Sequence, residues 1–172
     1  GAAAAATMTG SVEVRRLDVA DLASVRAFAA DVGPVDVLVN NAGIGPDGAE
    51  IADLTYESFD RIIGINFVGV FNGIHTFAAD MRGRGAGHIV NTSSIAGLFA
   101  TAPGVSAYAP AKFAVVALSE TLHSELAPHG VGVSVLCPGF VATNIIANTA
   151  RISGVATDYD GDMEPGTGMS PT

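Results

Sequence analysis

The sequence predicts an α/β fold in which helices flank a parallel sheet. Short apolar runs of strand length alternate with longer stretches whose apolar residues recur at helical spacing. Helices that connect successive strands imply a parallel sheet with right-handed crossovers. The composition agrees, because the 172 residues are 49% hydrophobic and include 21 glycines, as close packing of helices on a sheet allows.

Each predicted element is bounded by residues that start or stop regular structure. Gly33 and Pro34 end the first helix, and Gly130 ends the last one. Apolar residues at helical spacing support one long helix in the middle of the chain. In order, the sequence predicts a strand at 12–17, a helix at 21–32, a strand at 35–40, a helix at 55–81, a strand at 88–92, a helix at 106–128 and a strand at 131–137.

The only lysine of the chain, Lys112, follows Tyr108 by four residues at the start of a predicted helix. Residues at this spacing share one helix face, so both side chains can act on one reacting group. A nearby cation lowers the pKa of a tyrosine from about 10, which would make Tyr108 a usable general acid or base. The pair alone favours the alternative, an amphipathic helix with one exposed lysine and one half-buried tyrosine.

Three further polar signals lie at strand ends or within apolar stretches. Ser94 follows a predicted strand and would approach Tyr108 if that strand end and the next helix start share a layer, although a turn serine is the alternative. Asn66 falls in the apolar stripe of the long helix, so we expect a buried amide that bonds a neighbouring backbone or belongs to a polar site. Asn40 and Asn41 end a buried strand, where ligands of parallel sheets bind.

Taken together, these residues resemble the classical short-chain dehydrogenase/reductase family. The resemblance runs from Asp18 to Thr143 and implies a Rossmann-like fold. Pro110, within the Tyr108–Lys112 motif, is less usual, but a missing N–H is tolerated near a helix start. The matching residues are Asp18-Val19, Asn40-Asn41-Ala42-Gly43, Asn66, Ser94, Tyr108, Lys112, Pro138-Gly139, Val141 and Thr143.

The resemblance implies an NAD- or NADP-dependent oxidoreductase that acts on a small carbonyl or secondary alcohol. Tyr108 would exchange a proton with the substrate oxygen, and Ser94 would position that oxygen. Lys112 would lower the Tyr108 pKa and bind the nicotinamide ribose, and Asn66 would hold a water behind it. The implied cofactor contacts are Asp18 and Val19 at the adenine, Asn40, Ala42 and Gly43 at the adenosine side, Thr92, Tyr108 and Lys112, and Pro138, Gly139, Val141 and Thr143 at the nicotinamide.

The resemblance also predicts an incomplete fold. The family's Gly-rich turn, T-G-x-x-x-G-x-G, which binds the pyrophosphate, does not precede Asp18. We therefore expect the first two strands and the last strand of the family to be missing. Residues 1–147 would form a partial Rossmann-like domain with the catalytic site, and 148–172 a mobile tail or truncated substrate lid. The alternative is a catalytically inactive fragment or pseudoenzyme that acts as a binding module.

Charge and composition disfavour several other classes of protein. The net charge of −9 argues against nucleic-acid binding, and we expect no run apolar and long enough to span a bilayer. A single cysteine, Cys137, excludes an internal disulfide framework, and the histidine spacing predicts no metal site. We expect a cytoplasmic protein that forms a homo-oligomer through its two long helices.

Overall fold

The computed structural model describes residues 6–100, 103–139, 141 and 145–153, which form a three-stranded parallel sheet with helices between the strands. The predicted parallel α/β architecture is therefore confirmed. The strands lie in the order β1 (Val37–Asn40), β2 (Gly87–Thr92) and β3 (Val131–Leu136). The helices are α1 (Leu22–Val32), α2 (Tyr56–Ile63), α3 (Gly69–Arg84), α4 (Tyr108–Leu126) and α5 (Ile145–Ser153).

The first predicted helix is confirmed, whereas the strand predicted at 12–17 is wrong. The Asp21 carboxylate caps α1 by accepting a hydrogen bond from the Ala23 N–H. Residues 12–17 form no strand and lie beside α1, where Leu17 and Phe28 line a groove of about 350 Å³. A strand needs a hydrogen-bonded neighbour, and the only strand paired with β1 in the described part of the chain is β2.

The predicted long helix is present, and a π-helical segment interrupts it. The Thr55 hydroxyl caps α2 by accepting from the Ser58 N–H, and Gly85, with φ of 69°, ends α3. Between α2 and α3 the backbone continues as a π-helix at Gly64–Val68, with Asn66 at its centre. Such segments widen a helix locally and are frequent at functional sites.

The helix from Tyr56 to Arg84 has the length and composition of a membrane span. It contains 29 residues, and the mean hydropathy of its most apolar stretch is 1.5. The expectation that no run reaches this length and hydropathy was therefore wrong. Of that stretch, 44% is buried inside the fold, where Val70, Ile74 and Met81 contribute to the core, so packing accounts for much of its apolar character.

Helices α3 and α4 cover one face of the sheet. Their buried side chains pack on Ile89 and Val131, with Leu38 and Val133 beside them. The opposite face of β1 is open among the described residues, where Val37 and Val39 are 57% and 56% exposed. The carboxyl ends of the three parallel strands meet at one edge, the edge at which the sequence predicts the site.

Helix α5 spans the boundary predicted between residues 147 and 148. The first six residues of the predicted tail are therefore helical. Thr149 is 2% exposed, because α5 packs against the loop that follows β1. Residues 154–172 lie outside the described part of the chain.

Candidate active site

Tyr108 and Lys112 lie together at the start of α4. Tyr108 is the first helical residue, and Pro110 is the third, where a backbone N–H has no intrahelical acceptor. Lys112 is only 4% exposed, and its Nζ donates to the Thr92 carbonyl at 3.0 Å. The same nitrogen lies 5.6 Å from the centroid of the Tyr108 ring. The alternative of an exposed lysine on an ordinary amphipathic helix is therefore wrong.

Burial sets the electrostatics of this pair. Removal from water disfavours the ammonium and lowers the pKa of Lys112 from 10.5 to about 8, while the charge of Cys137 opposes that shift. Lys112 therefore remains mostly protonated at neutral pH. A cation held this close to a tyrosine ring stabilises negative charge that develops on the phenol oxygen.

Asn66 is fully buried and binds the backbone of the loop after β1. Its Oδ1 accepts from the Ile44 N–H at 2.8 Å, and its Nδ2 donates to the Ile44 carbonyl at 2.8 Å. A Cβ placed on Gly43 would lie 3.3 Å from Asn66 Oδ1 and 3.6 Å from Lys112 Nζ. Gly43 thus lies between the two side chains, and a larger residue there would crowd both. The expected burial of the Asn66 amide is confirmed.

Ser94 lies in the turn that follows β2. Its hydroxyl accepts from the Ala96 N–H at 3.2 Å and so caps a short 3₁₀ turn at Ile95–Gly97. The neighbouring Ser93 hydroxyl donates to the Lys112 carbonyl at 2.8 Å, which fixes this turn against α4. The turn that carries Ser94 is therefore anchored on the helical turn that carries Lys112. The positioning of a substrate oxygen by Ser94 stays a prediction.

A network of polar side chains, which the sequence analysis missed, joins β1 and β2 to α4. Asn40 Nδ2 donates to Asn91 Oδ1 at 2.8 Å, and Asn91 Nδ2 donates to the Ser119 hydroxyl at 2.9 Å. Asn91 is fully buried, and Ser119 is 2% exposed. The observed partner of the Asn40 amide is thus another side chain of the sheet. An asparagine inside the apolar run of β2 was the signal that could have indicated this network.

The loop after β1 carries the other predicted contacts on the adenosine side. Ala42 and Asn41 are exposed, and Asn41 Oδ1 accepts from the Thr92 hydroxyl at 3.0 Å. Thr92 therefore contacts both this loop and Lys112, through its hydroxyl and its carbonyl respectively.

Asp18 and Val19 are docked on the long helix. The Val19 carbonyl accepts from Asn72 Nδ2 at 2.9 Å, and the Val19 side chain lies so close to Gly69 that a Cβ there would be 2.8 Å from it. Asp18 is exposed, and its carboxylate accepts from the Ala20 N–H. The segment that would contact an adenine is thus held in place although it forms no strand.

The predicted nicotinamide contacts follow β3. Pro138 and Gly139 are exposed, and the Pro138 carbonyl accepts from the Ile95 N–H at 2.8 Å, which ties this segment to the Ser94 turn. Val141 is 61% exposed, and Thr143 lies outside the described residues. In the part of the chain that the structure describes, no group of His, Cys, Asp and Glu side chains could hold a metal ion.

The comparison with known protein families decides the membership of this chain. Residues 2–152 match the sequence model of the family described as short chain dehydrogenase. The chain belongs to the short-chain dehydrogenase family. The resemblance on which the sequence analysis relied is therefore confirmed.

Relatives within the family align with most of this chain. It is 44% identical over 138 residues to the Mycobacterium tuberculosis protein named "Probable oxidoreductase EphD", over 77% of this chain and 23% of that protein. It resembles a short-chain dehydrogenase/reductase from Burkholderia phymatum solved in complex with NAD, with 41% identity and a TM-score of 0.75 over 80% of this chain and 50% of the other. A gluconate 5-dehydrogenase from Burkholderia cenocepacia, solved with NADP and tartrate, has 34% identity and a TM-score of 0.69 over 79% and 52%. The chain thus spans about half the length of these two structures.

Proposed function

We propose that the protein is an NAD(P)-dependent oxidoreductase that transfers hydride between a nicotinamide cofactor and a small carbonyl compound or secondary alcohol. The observation that carries this proposal is the burial of the single lysine beside Tyr108, with its Nζ 5.6 Å from the ring centroid. Burial of an ammonium is costly unless an opposite charge and hydrogen bonds compensate for the lost water. Here its bonded partner is one neutral carbonyl, that of Thr92, which favours a catalytic role over a stabilising one.

In the proposed reduction, the Tyr108 hydroxyl donates its proton to the carbonyl oxygen of the substrate. The Lys112 ammonium stabilises the resulting phenolate, since opposite charges favour each other strongly in a partly dry site. In alcohol oxidation the same phenolate would accept the proton. Ser94 would donate a hydrogen bond to the substrate oxygen and orient it.

The residues at the carboxyl edge of the sheet fit a dinucleotide. Glycine at position 43 brings the backbone of the loop against Lys112, and Ala42 and Gly139 leave exposed backbone on either side of β2. Lys112 and Thr92 would hold the ribose next to the nicotinamide. Residues 40–43 and Asp18-Val19 would hold the adenosine side, and residues 138–143 the nicotinamide. When bound, NAD or NADP supplies or accepts the hydride.

Removal of the Tyr108 hydroxyl tests the proposal. In the full-length protein, Tyr108→Phe should reduce turnover of ketones and secondary alcohols by a factor of about 10²–10⁴, because proton transfer is lost. Cofactor affinity should remain nearly unchanged. Tyr56→Phe is the matched control, since Tyr56 is 88% exposed and should lose nothing. Retention of Tyr108→Phe turnover within a few-fold of wild type would contradict the role.

A second variant separates the charge of Lys112 from its shape. Lys112→Arg keeps a cation, but a planar guanidinium is too large for the space between the Thr92 carbonyl and Gly43. We expect severe loss of turnover in the Arg variant. An unchanged rate and pH profile would show that Lys112 does not assist Tyr108.

The alternative is a catalytically inactive binding module, and the lack of a Gly-rich phosphate turn in this sequence favours it. Calorimetric titration of NADH and NADPH into this chain and into a longer form extended before Gly1 distinguishes the two. The oxidoreductase proposal expects tight binding by the extended form alone. Equal micromolar affinity of both forms would show that a preceding segment is not needed.

We also propose that the protein is a homo-oligomer that pairs on its two long helices. Phe71 and Phe113 are 46% and 41% exposed on α3 and α4, and the Phe71 ring stacks on His75 with centroids 5.7 Å apart. Phe71→Glu should dissociate the oligomer in sedimentation experiments. Ile152→Glu, at an equally exposed position on α5, is the control that should not. Wild-type protein that sediments only as a monomer at micromolar concentration would contradict the proposal.

A further inference from the structure

The Thr149 hydroxyl joins helix α5 to the loop that follows β1. Its Oγ1 accepts from the Gly45 N–H at 2.7 Å and donates to the Ile145 carbonyl at 2.7 Å. Thr149 is 2% exposed, and Gly45 is buried. A Cβ on Gly45 would lie 3.3 Å from this oxygen, so glycine permits the close approach. The bond therefore connects two buried groups that lie 104 residues apart in the sequence.

Other threonines of the chain show what is unusual about Thr149. The hydroxyls of Thr76 and Thr121 also donate to the carbonyl four residues earlier, which is a common local bond in helices. That local bond does nothing to hold one element against another. The additional acceptance of a buried backbone N–H from a distant loop distinguishes Thr149 from these two.

Two side chains fix the loop segment of residues 43–45, which lies next to Tyr108 and Lys112. Asn66 binds both backbone groups of Ile44, while Thr149 binds the N–H of Gly45. Ile44 belongs to the buried cluster against which Tyr108 packs, and Gly43 lies beside Lys112 Nζ. The position of this backbone relative to Tyr108 and Lys112 thus depends on Asn66 from the long helix and on Thr149 from α5.

We propose that Thr149 is a positioning residue whose hydroxyl tethers α5 to residues 43–45 and thereby fixes the loop backbone that lies beside Lys112 Nζ. Its catalytic consequence rests on the oxidoreductase function proposed above. The physical basis is the Gly45 N–H, because a buried donor without an acceptor is costly. Without the hydroxyl, α5 opens to return this N–H to water.

Trypsin provides a direct probe of the tether. Arg151 is the only trypsin site after Lys112, and it lies in α5 two residues beyond Thr149. Cleavage in a helix requires local opening, so its rate reports how firmly α5 is held. Thr149→Val keeps the shape and removes the acceptor, and it should be cleaved at Arg151 about tenfold faster than wild type.

Two variants provide the controls. Thr149→Ser retains the hydroxyl and should be cleaved at a rate close to wild type. Thr121→Val removes a hydroxyl that makes only a local bond on α4 and should leave the rate at Arg151 unchanged. Peptides of residues 145–153 with the same substitutions at position 149 correct for any direct effect on trypsin. A wild-type rate for Thr149→Val, or equally fast cleavage of the Ser and Val variants, would overturn the tether.

Amide exchange and kinetics separate the tether from the function. The Gly45 amide should exchange faster in Thr149→Val and be restored in Thr149→Ser. Where the full-length protein turns over, Thr149→Val should raise KM several-fold and change kcat by less than about threefold. An unchanged KM beside faster cleavage would overturn the positioning role. A wild-type protein without turnover would refute the proposed function. Trypsin cleavage at Arg151 and exchange of the Gly45 amide would still show whether Thr149 holds α5 to the loop.

Discussion

The two faces of the sheet differ in burial although both carry β-branched residues. Ile89 and Val131, on the face covered by α3 and α4, are 0% and 2% exposed. Val37 and Val39, on the other face, are 57% and 56% exposed. One of the two helices that cover the first face, α4, also carries Tyr108 and Lys112. The site therefore lies on the side of the sheet whose apolar residues are buried among the described residues.

The covered face also carries the buried polar groups. Asn91 and Ser119 continue the network that begins at Asn40, and all three amide and hydroxyl groups are bonded to one another in series. Among the described residues, no buried side-chain nitrogen or oxygen lacks a hydrogen-bond partner. Such fully satisfied networks fix one arrangement of strands and helices, because a shift would leave buried groups unpaired. This arrangement holds the site residues in place.

The largest expected effect on stability comes from the buried ammonium of Lys112, on the covered side of the sheet. The pKa of Lys112 is lowered from 10.5 to about 8, so between these values the unfolded chain binds more protons than the folded one. The free energy of unfolding should therefore rise with pH across this window, by on the order of 3 kcal/mol. The cost of burying the ammonium is fully present below about pH 8 and disappears above about pH 10.5.

Urea denaturation of Tyr108→Phe and of Tyr108→Phe with Lys112→Met, at several pH values, isolates this rise. Both proteins lack the Tyr108 hydroxyl, and only the double variant also lacks the Lys112 ammonium. The rise should be present in the single variant and absent in the double one. If the free energy of unfolding changed with pH in the same way in both proteins, burial would not be lowering the pKa of Lys112.

The next effect compares one substitution on the two faces. Val131→Ala should lower the free energy of unfolding by about 2 kcal/mol, because it removes buried methyl groups and leaves a cavity. Val39→Ala should cost less than about 1 kcal/mol, since Val39 is 56% exposed and both positions lie in strands. Urea denaturation measures both. An equal cost at the two positions would show that another part of the protein covers the second face.

The sequence predicted those features that local geometry determines. Tyr108 and Lys112 share a face because residues four apart in a helix always do, and Asn66 is buried because it falls within an apolar stripe. The positions of β1, β2 and β3 and of the helices from α1 to α4 followed from periodicity for the same reason. These parts of the fold and site need no knowledge of distant contacts.

The features that sequence analysis missed depend on contacts between distant segments. The alternation of Val12 and Val14 resembles a strand, but a strand forms only beside a partner. Asn40 and Asn91 meet only because the register pairs them across two strands. Thr149 lies in a nine-residue helix, and its role depends on Gly45, 104 residues earlier in the chain. Periodicity contains no information on any of these pairings.

The smallest effects compare two glycines of α3, one on the covered side and one on the outer side. A Cβ on Gly73 would lie 2.2 Å from Asn40 Oδ1, whereas a Cβ on Gly83 would meet nothing within 4 Å. Gly73→Ala should lower the free energy of unfolding by about 1–2 kcal/mol, because it pushes Asn40 away from Asn91 in a packed core. Gly83→Ala should raise it by about 0.5–1 kcal/mol, since alanine restricts the unfolded chain and favours helix. The two substitutions are chemically identical and ten residues apart, so any general effect of alanine on this helix cancels in their difference. Thermal or urea denaturation measures both changes. If the two substitutions changed the free energy of unfolding in the same direction, α3 would not press on the Asn40 amide. The covered face would then be packed more loosely around Asn40 than around Ile89.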